Sequence, residues 1–318
     1  MRAMVIPRFG GPEVFELRDV PAPSAGPGEL LVRIAVSGTN PVDAKLRANG
    51  SWAGLAPPVV LGYDASGVVE DVGPGVSGFS RGDEVYYTPE IFGNPLGTYA
   101  ELNAVPAAIV ARKPASLSHA EAAALPLAAG TAYEAVVRRL ALRPGETVLV
   151  HGGAGGVGSF AIQIARACGA RVIATAGAGN QETLRALGAD VCVDYRAEDP
   201  AEVALRETGG AGVDAVLSTV GGDTVLKSLP ATRPFGRVAT ILGARGDLTP
   251  LHTRNLALHG VFLTREGARL RELTRLVDQG KLRPIVDAVL PLEQVGEAHR
   301  RLDSGHGRGK IVLRVAGP

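Results

Sequence analysis

Apolar and polar positions fall into two textures along this chain. Up to about residue 117, short runs such as LLVRIAV at 30–36 and ASGVVEDV at 65–72 alternate or are wholly apolar. Clusters of Gly and Pro punctuate them, as in PAPSAGPG at 21–28, which predicts β-strands joined by tight turns. The texture changes at Ser118. Ser118 and Glu121 have the spacing of a capping box, opening an Ala- and Leu-rich helix expected to run past Pro126 towards residue 137. Beyond it, strands at 147–150, 171–175, 191–193, 213–218 and 237–242 are predicted, with helices after Gly158 and at 181–187, the second ending at Gly188. Such alternation is the pattern of a parallel sheet covered by helices on both faces. Amphipathic helices at 267–279 and 292–302 and a strand at 310–314 close the chain. That tail resembles the first third more than the middle. Residues 1–122 and 264–318 are therefore expected to form one discontinuous domain around a second, 123–263.

The stretch VLVHGGAGGVG, Val148 to Gly158, carries the most chemistry. Gly153, Gly155 and Gly158 fit G-x-G-x-x-G after an apolar strand and before an apolar-periodic helix, the context that makes the pattern a dinucleotide site. Gly153 is expected to make the tight turn, Gly155 to let backbone approach a pyrophosphate, and Gly158 to let helix pack on strand. Ala154, Gly156 and Val157 complete the turn, and N–H groups at the helix start face the phosphate charge. An acid at the end of the second strand would select NAD. Ala176, followed by Gly177, stands there instead, while Tyr195 and Arg196 supply a phenol and a guanidinium after the third strand. Arg suits a 2′-phosphate, so the expected cofactor is NADPH (NADP+).

Composition removes other function classes. A 318-residue chain with 46% hydrophobic and 20% charged residues supports two ordinary domains. A net charge of +1 with scattered Lys and Arg gives no nucleic-acid or anionic-membrane surface. No segment reads as a signal peptide or membrane span, so a cytoplasmic protein is expected. The two cysteines, Cys168 and Cys192, lack metal spacing and read as buried packing residues.

The chain resembles the zinc-free medium-chain dehydrogenase/reductases, specifically the quinone oxidoreductase branch. The likeness covers nearly its whole length: SGTNPVD at 37–43, LGYDASG at 61–67, GDEV at 82–85, LPLAAGTAY at 125–133, the glycine turn, DYR at 194–196 and GKIVL at 309–313. It implies an α/β protein in which a discontinuous GroES-like β-barrel catalytic domain accompanies a Rossmann domain with a doubly wound parallel sheet. A homodimer is also implied. Zinc-using relatives carry Cys near Ser37 and Gly-His-Glu near Gly62 to Asp64; Ser37 and Tyr63 stand at those places here, so no metal is expected.

By the same resemblance, Asn40 lies near the nicotinamide and substrate, where its amide would donate to a carbonyl oxygen; equally, it reads as a turn-forming Asn before Pro41. Thr131 is expected near the nicotinamide. Tyr63, Lys45 and water are the candidate proton donors, and Lys45 also reads as part of a solvated helix face. Val220 and Leu242, beyond later strands, complete the implied cofactor contacts. The Lys expected to hold the 2′-phosphate is replaced by Asn180-Gln181, with Arg308 or His306 as substitutes. His151 reads as a structural neighbour of the cofactor, and Tyr86 and Phe92 as either substrate walls or barrel packing. The implied activity is hydride delivery to a quinone or an α,β-unsaturated carbonyl. A reductase of a specialised alkene or acyl-linked enoyl substrate, and a catalytically silent, crystallin-like nucleotide binder, are the alternatives.

Overall fold

In the computed structural model, which describes residues 1–305 and 307–315, the alternation at 30–36 becomes the strand Glu29–Gly38. Leu30, Val32, Ile34 and Val36 share one buried face, the period of two that a half-covered strand requires. Ala65–Val72 and Leu102–Pro106 pair with it antiparallel, as does Lys310–Arg314 from the end of the chain. Val312 lies opposite Gly38 and Leu313 opposite Ser37. The full seven-stranded sheet adds Val286–Pro291, Glu84–Tyr87 and Val110–Arg112, and a three-stranded sheet joins Glu16–Asp19, Arg2–Ile6 and Val59–Val60. These strands belong to a first unit made of Met1–Ala128, Thr264–Gly280 and the chain from Pro284 onward; Ala129–Leu263 with Lys281–Arg283 form the second.

The second unit is built on six parallel strands. Val191–Asp194, Arg171–Ala176, Thr147–His151, Val213–Ser218, Thr232–Thr240 and Ala257–Gly260 follow one another across the sheet, 3-2-1-4-5-6 in chain order. Leu149, Ile173, Val193, Val216 and Val238 fill its core, which explains why these strands are apolar runs rather than alternating ones. The order reverses between Thr147–His151 and Val213–Ser218, and such a reversal opens a crevice at the carboxyl ends of the strands.

Local chemistry moved several boundaries. The strand expected at 237–242 begins at Thr232 and stops at Thr240. There the Thr240 hydroxyl donates to the Leu242 carbonyl at 2.7 Å and accepts the Leu242 N–H at 3.3 Å, closing a local turn. The helix expected to run past Pro126 is two helices, His119–Ala123 and Pro126–Tyr133. Proline has no N–H to continue a helix but suits its first position. The first piece has the expected cap, Ser118 accepting from the Glu121 N–H and Glu121 from the Ser118 N–H. The tail helix expected at 292–302 is a short 3-10 turn, Leu292–Gln294, leading into Val295–Asp303. No helix among the described residues is long and apolar enough to cross a membrane.

Candidate active site

The glycine turn lies at the carboxyl end of Thr147–His151 and feeds the helix Gly156–Ala167. One role is corrected. The residue with left-handed backbone is Gly152, φ 72°, and not Gly153. Gly153 is required for lateral space, because a Cβ there would lie 2.7 Å from Leu184 and 3.0 Å from Ile162. Gly158 packs as expected: a Cβ would sit 2.1 Å from the Gly152 carbonyl oxygen. Gly155, the residue before the helix, differs from both, since its Cβ would meet nothing closer than the Gly152 oxygen at 3.4 Å. Protein packing does not demand glycine there, whereas close approach of a ligand to the backbone does. First-turn N–H groups, from Gly156, Val157 and Gly158, have no intrahelical acceptors. The turn thus fits a pyrophosphate, with orphan donors and an open side in one place.

Around it the sheet gathers other expected contacts. Val220 lies over the turn, its side chain 3.0 Å from where a Gly152 Cβ would be, and Leu242 packs similarly against Gly221. Ala176 is paired in register with Asp194, so Tyr195 and Arg196 follow directly beside Ala176 and Gly177. The space a Gly177 Cβ would take is open. Asp194 accepts the Arg196 N–H at 3.0 Å, and the Arg196 guanidinium lies 5.6 Å from the centroid of the half-exposed Tyr195 ring. Gln181 is turned inward, donating to the Ala176 carbonyl.

His151 is buried, which lowers its pKa to about 4. The Ser228 hydroxyl donates to the Thr224 carbonyl and so accepts from His151 Nε2 at 2.7 Å, giving a neutral imidazole a structural place. Thr131 is buried in Pro126–Tyr133. Cys168 and Cys192 are half-buried rather than buried, and both are free. Arg308 stands 3.9 Å from Asp287, while His306 lies outside the described residues.

In the first unit, Asn40 precedes the helix Pro41–Asn49, whose first residue is the proline that favours such a start. Its backbone N–H donates to Asp43 at 2.8 Å, and with the Asn40 side chain towards the Asp43 N–H this forms a capping box, so Asn40 does shape the turn. The Asn40 side chain has stronger partners as well. Nδ2 donates to Asp64 at 2.9 Å, and Oδ1 accepts from Lys310 Nζ. Lys310 also donates to the Thr39 carbonyl at 2.7 Å and lies 3.3 Å from Asp64, whose other oxygen accepts the Leu127 N–H at 2.7 Å. All three side chains are buried: Asn40 is 2% exposed, Lys310 5% and Asp64 0%. Burial raises the Asp64 pKa, opposed by Lys310 and by the Asn40 hydrogen bond. Burial likewise raises Asp43 to about 7, against the Asn40 N–H, the Tyr99 hydroxyl and Lys310.

Tyr63 is fully buried, its hydroxyl 3.5 Å from the Asn94 carbonyl, and burial raises its pKa so that it holds its proton tightly. Lys45 is exposed on Pro41–Asn49 and is not joined to the Asn40 network. Tyr86 is no substrate wall: it is fully buried, with its hydroxyl donating to Leu270 at 2.6 Å. Phe92 is half-exposed and packs edge-on against Trp52. Ser37 and Thr98 are hydrogen-bonded to each other at 2.6 Å, and both lie 3.0 Å from the Asp64 backbone carbonyl, which accepts from one of them. Among the described residues no three His, Cys, Asp or Glu side chains are grouped to hold a metal ion. Lys310 was missed from the sequence. Its one signal was a lysine heading the apolar run IVL, which reads equally as a strand end reaching solvent.

Residues 26–115 match the family model of the alcohol dehydrogenase GroES-like domain, and 187–313 that of the zinc-binding dehydrogenase. An NADPH-dependent alkenal/one oxidoreductase, chloroplastic, of Arabidopsis thaliana is 34% identical, covering 98% of this chain and 79% of its own. The quinone oxidoreductase of Homo sapiens is 32% identical, covering 98% and 97%. The crystal structure of an alcohol dehydrogenase superfamily protein from Novosphingobium aromaticivorans superposes with a TM-score of 0.93 at 38% identity, covering 99% of this chain and all of the other. The mixed fold, with its GroES-like and Rossmann parts, is therefore that of an NAD(P)-dependent oxidoreductase. The chain belongs to the medium-chain dehydrogenase/reductase family, in its quinone oxidoreductase branch.

Proposed function

We propose that the protein is an NADPH-dependent reductase of α,β-unsaturated carbonyls and quinones that works without a bound metal. One observation carries the reading. Asp64, the acid of the Gly-Tyr-Asp motif, has one oxygen on the Leu127 N–H and the other on Asn40 and Lys310. It is committed to holding an amide, and its neighbours Ser37 and Tyr63 are a hydroxyl and a phenol rather than thiolate and imidazole. That donor set does not fit a catalytic zinc, which takes three ligands of Cys, His or carboxylate type.

Bound NADPH supplies hydride to the electron-poor carbon of the conjugated acceptor. Asn40 keeps one Nδ2 N–H beyond the one given to Asp64, and this donor stabilises the carbonyl oxygen as enolate or quinolate charge develops. An amide whose exposed surface is only 2% suits a donor acting where water is excluded. Tyr63 is fully buried with its hydroxyl towards the Asn94 carbonyl, so solvent or the exposed Lys45 is the better-placed donor to the enolate.

The chain separates from its alternatives by turnover. NADPH oxidation is expected with a 2-alkenal and with 9,10-phenanthrenequinone. Tight NADPH binding with no turnover across such acceptors would favour the silent nucleotide binder, and alcohol oxidation dependent on added Zn²⁺ would overturn the metal-free reading.

Arg196, beside an Ala176 that cannot repel phosphate, holds the 2′-phosphate in this reading. Arg196→Ala is expected to raise KM for NADPH about 10- to 100-fold, the loss of a hydrogen bond to a charged group at about 1.5–3 kcal/mol. KM for NADH should barely move. An equal rise for both cofactors would remove Arg196 from phosphate recognition.

Among the described residues, the sheet edge at Ala257–Gly260 pairs on one side only, with Thr232–Thr240, and the exposed Phe262 follows it. An open edge of this kind supports a homodimer. Sedimentation velocity at micromolar concentration should give the mass of two chains, and a single-chain mass would rule this out.

A further inference from the structure

We infer that Lys310, acting with Asp64, is a positioning residue that fixes the Asn40 amide for catalysis. The inference rests on the donor role proposed for Asn40. An amide can turn by 180° about its last bond, exchanging oxygen and NH₂, and only its partners decide between the two poses. Here they decide it completely. The Lys310 ammonium has donors only, so it requires the amide oxygen; the Asp64 carboxylate accepts only, so it requires the NH₂. With Oδ1 and one N–H so engaged, the remaining N–H has no partner among the described residues and has one available direction.

The network is closed in every other respect. Lys310 uses its three donors on the Thr39 carbonyl, Asn40 and Asp64, and both Asp64 oxygens are occupied. Its members are far apart in sequence, Lys310 being 270 residues from Asn40 and 246 from Asp64. Lysine is almost never this buried unless paired. Apolar side chains of similar size would hold these segments together as well as a buried ion pair does, so stability alone does not account for the charge. What an apolar pair cannot do is orient an amide. A pre-set donor costs no reorganisation when charge develops, and this is the advantage the network provides.

A double-mutant cycle tests the inference, with NADPH and a 2-alkenal as probes. Lys310→Met is expected to lower kcat about 10-fold or more, with the NADPH dissociation constant, read by cofactor fluorescence, within about twofold of the parent. Asn40→Ala/Lys310→Met should be no slower than Asn40→Ala alone, because a residue acting only through Asn40 has nothing left to act on. A structural staple would instead give losses that multiply, and multiplied losses would overturn the inference. So would Lys310→Met with unaltered kcat. If Lys310→Met does not fold, Asp64→Asn, which keeps an acceptor for Leu127, takes its place in the cycle under the same criteria. Failure of the underlying reading shows separately, as an Asn40→Ala protein with parental kcat.

Discussion

Gly158→Ala is expected to abolish measurable NADPH binding, raising the dissociation constant by at least about 100-fold while leaving a folded protein. The added methyl would lie 2.1 Å from the Gly152 carbonyl oxygen and 2.8 Å from the Gly152 carbon and the Gly153 Cα. None of these atoms belongs to a side chain that can swing aside, so the helix Gly156–Ala167 must move away from the turn. Even a displacement of about 1 Å misaligns donors whose usefulness depends on hydrogen-bond distance. The contrasting substitution is Gly155→Ala, whose Cβ meets only one protein atom, at 3.4 Å. It should leave thermal stability close to the parent and still weaken binding, because its methyl enters the space left for the ligand. Isothermal titration of both variants gives the comparison. Tight NADPH binding by Gly158→Ala would mean that the turn is not the pyrophosphate site.

The second large effect is on chemistry rather than binding. Asn40→Ala is expected to lower kcat/KM for an alkenal about 10- to 100-fold at saturating NADPH, the scale of losing one donor to a developing oxyanion. It also leaves Lys310 and Asp64 each one partner short, costing about 1–3 kcal/mol of stability for groups left unsatisfied in a buried place. The two effects separate experimentally. Thermal unfolding reads the stability loss, and steady-state kinetics well below the unfolding temperature reads the catalytic one. Asn40→Ala with parental kcat/KM would remove Asn40 from the reaction and reduce its hydrogen bonds to structure.

The residues differ in how much of their role the linear sequence carries. Five of the second unit's six strands were legible because each is a short apolar run, a pattern set by near neighbours; Ala257–Gly260, with exposed ends and a histidine within it, carries no such run and was not expected. The glycine turn was legible for the same reason, since strand, turn and helix are contiguous. Even so, sequence put the tight turn at Gly153, whereas backbone geometry puts it at Gly152 and gives Gly153 a packing role against Leu184 and Ile162, residues remote along the chain. Tyr86 shows the same limit. Its placement among substrate walls or packing residues turned on Leu270, 184 positions away.

What the sequence determined by itself was therefore local: which segments form most of the strands and helices, that a glycine turn joins an apolar strand to a helix, and that Ser37 and Tyr63 stand where zinc-using relatives carry thiolate and imidazole. Tertiary structure alone decided what the first unit's polar residues do. Lys310 looks like the polar end of a strand until that strand pairs with Glu29–Gly38 and carries the ammonium to Thr39, Asn40 and Asp64. The physical reason is that a buried charge is defined by its partners, and the ammonium and its partners come from three distant stretches of chain. Hydrophobic periodicity records burial along one element. It does not record which elements meet.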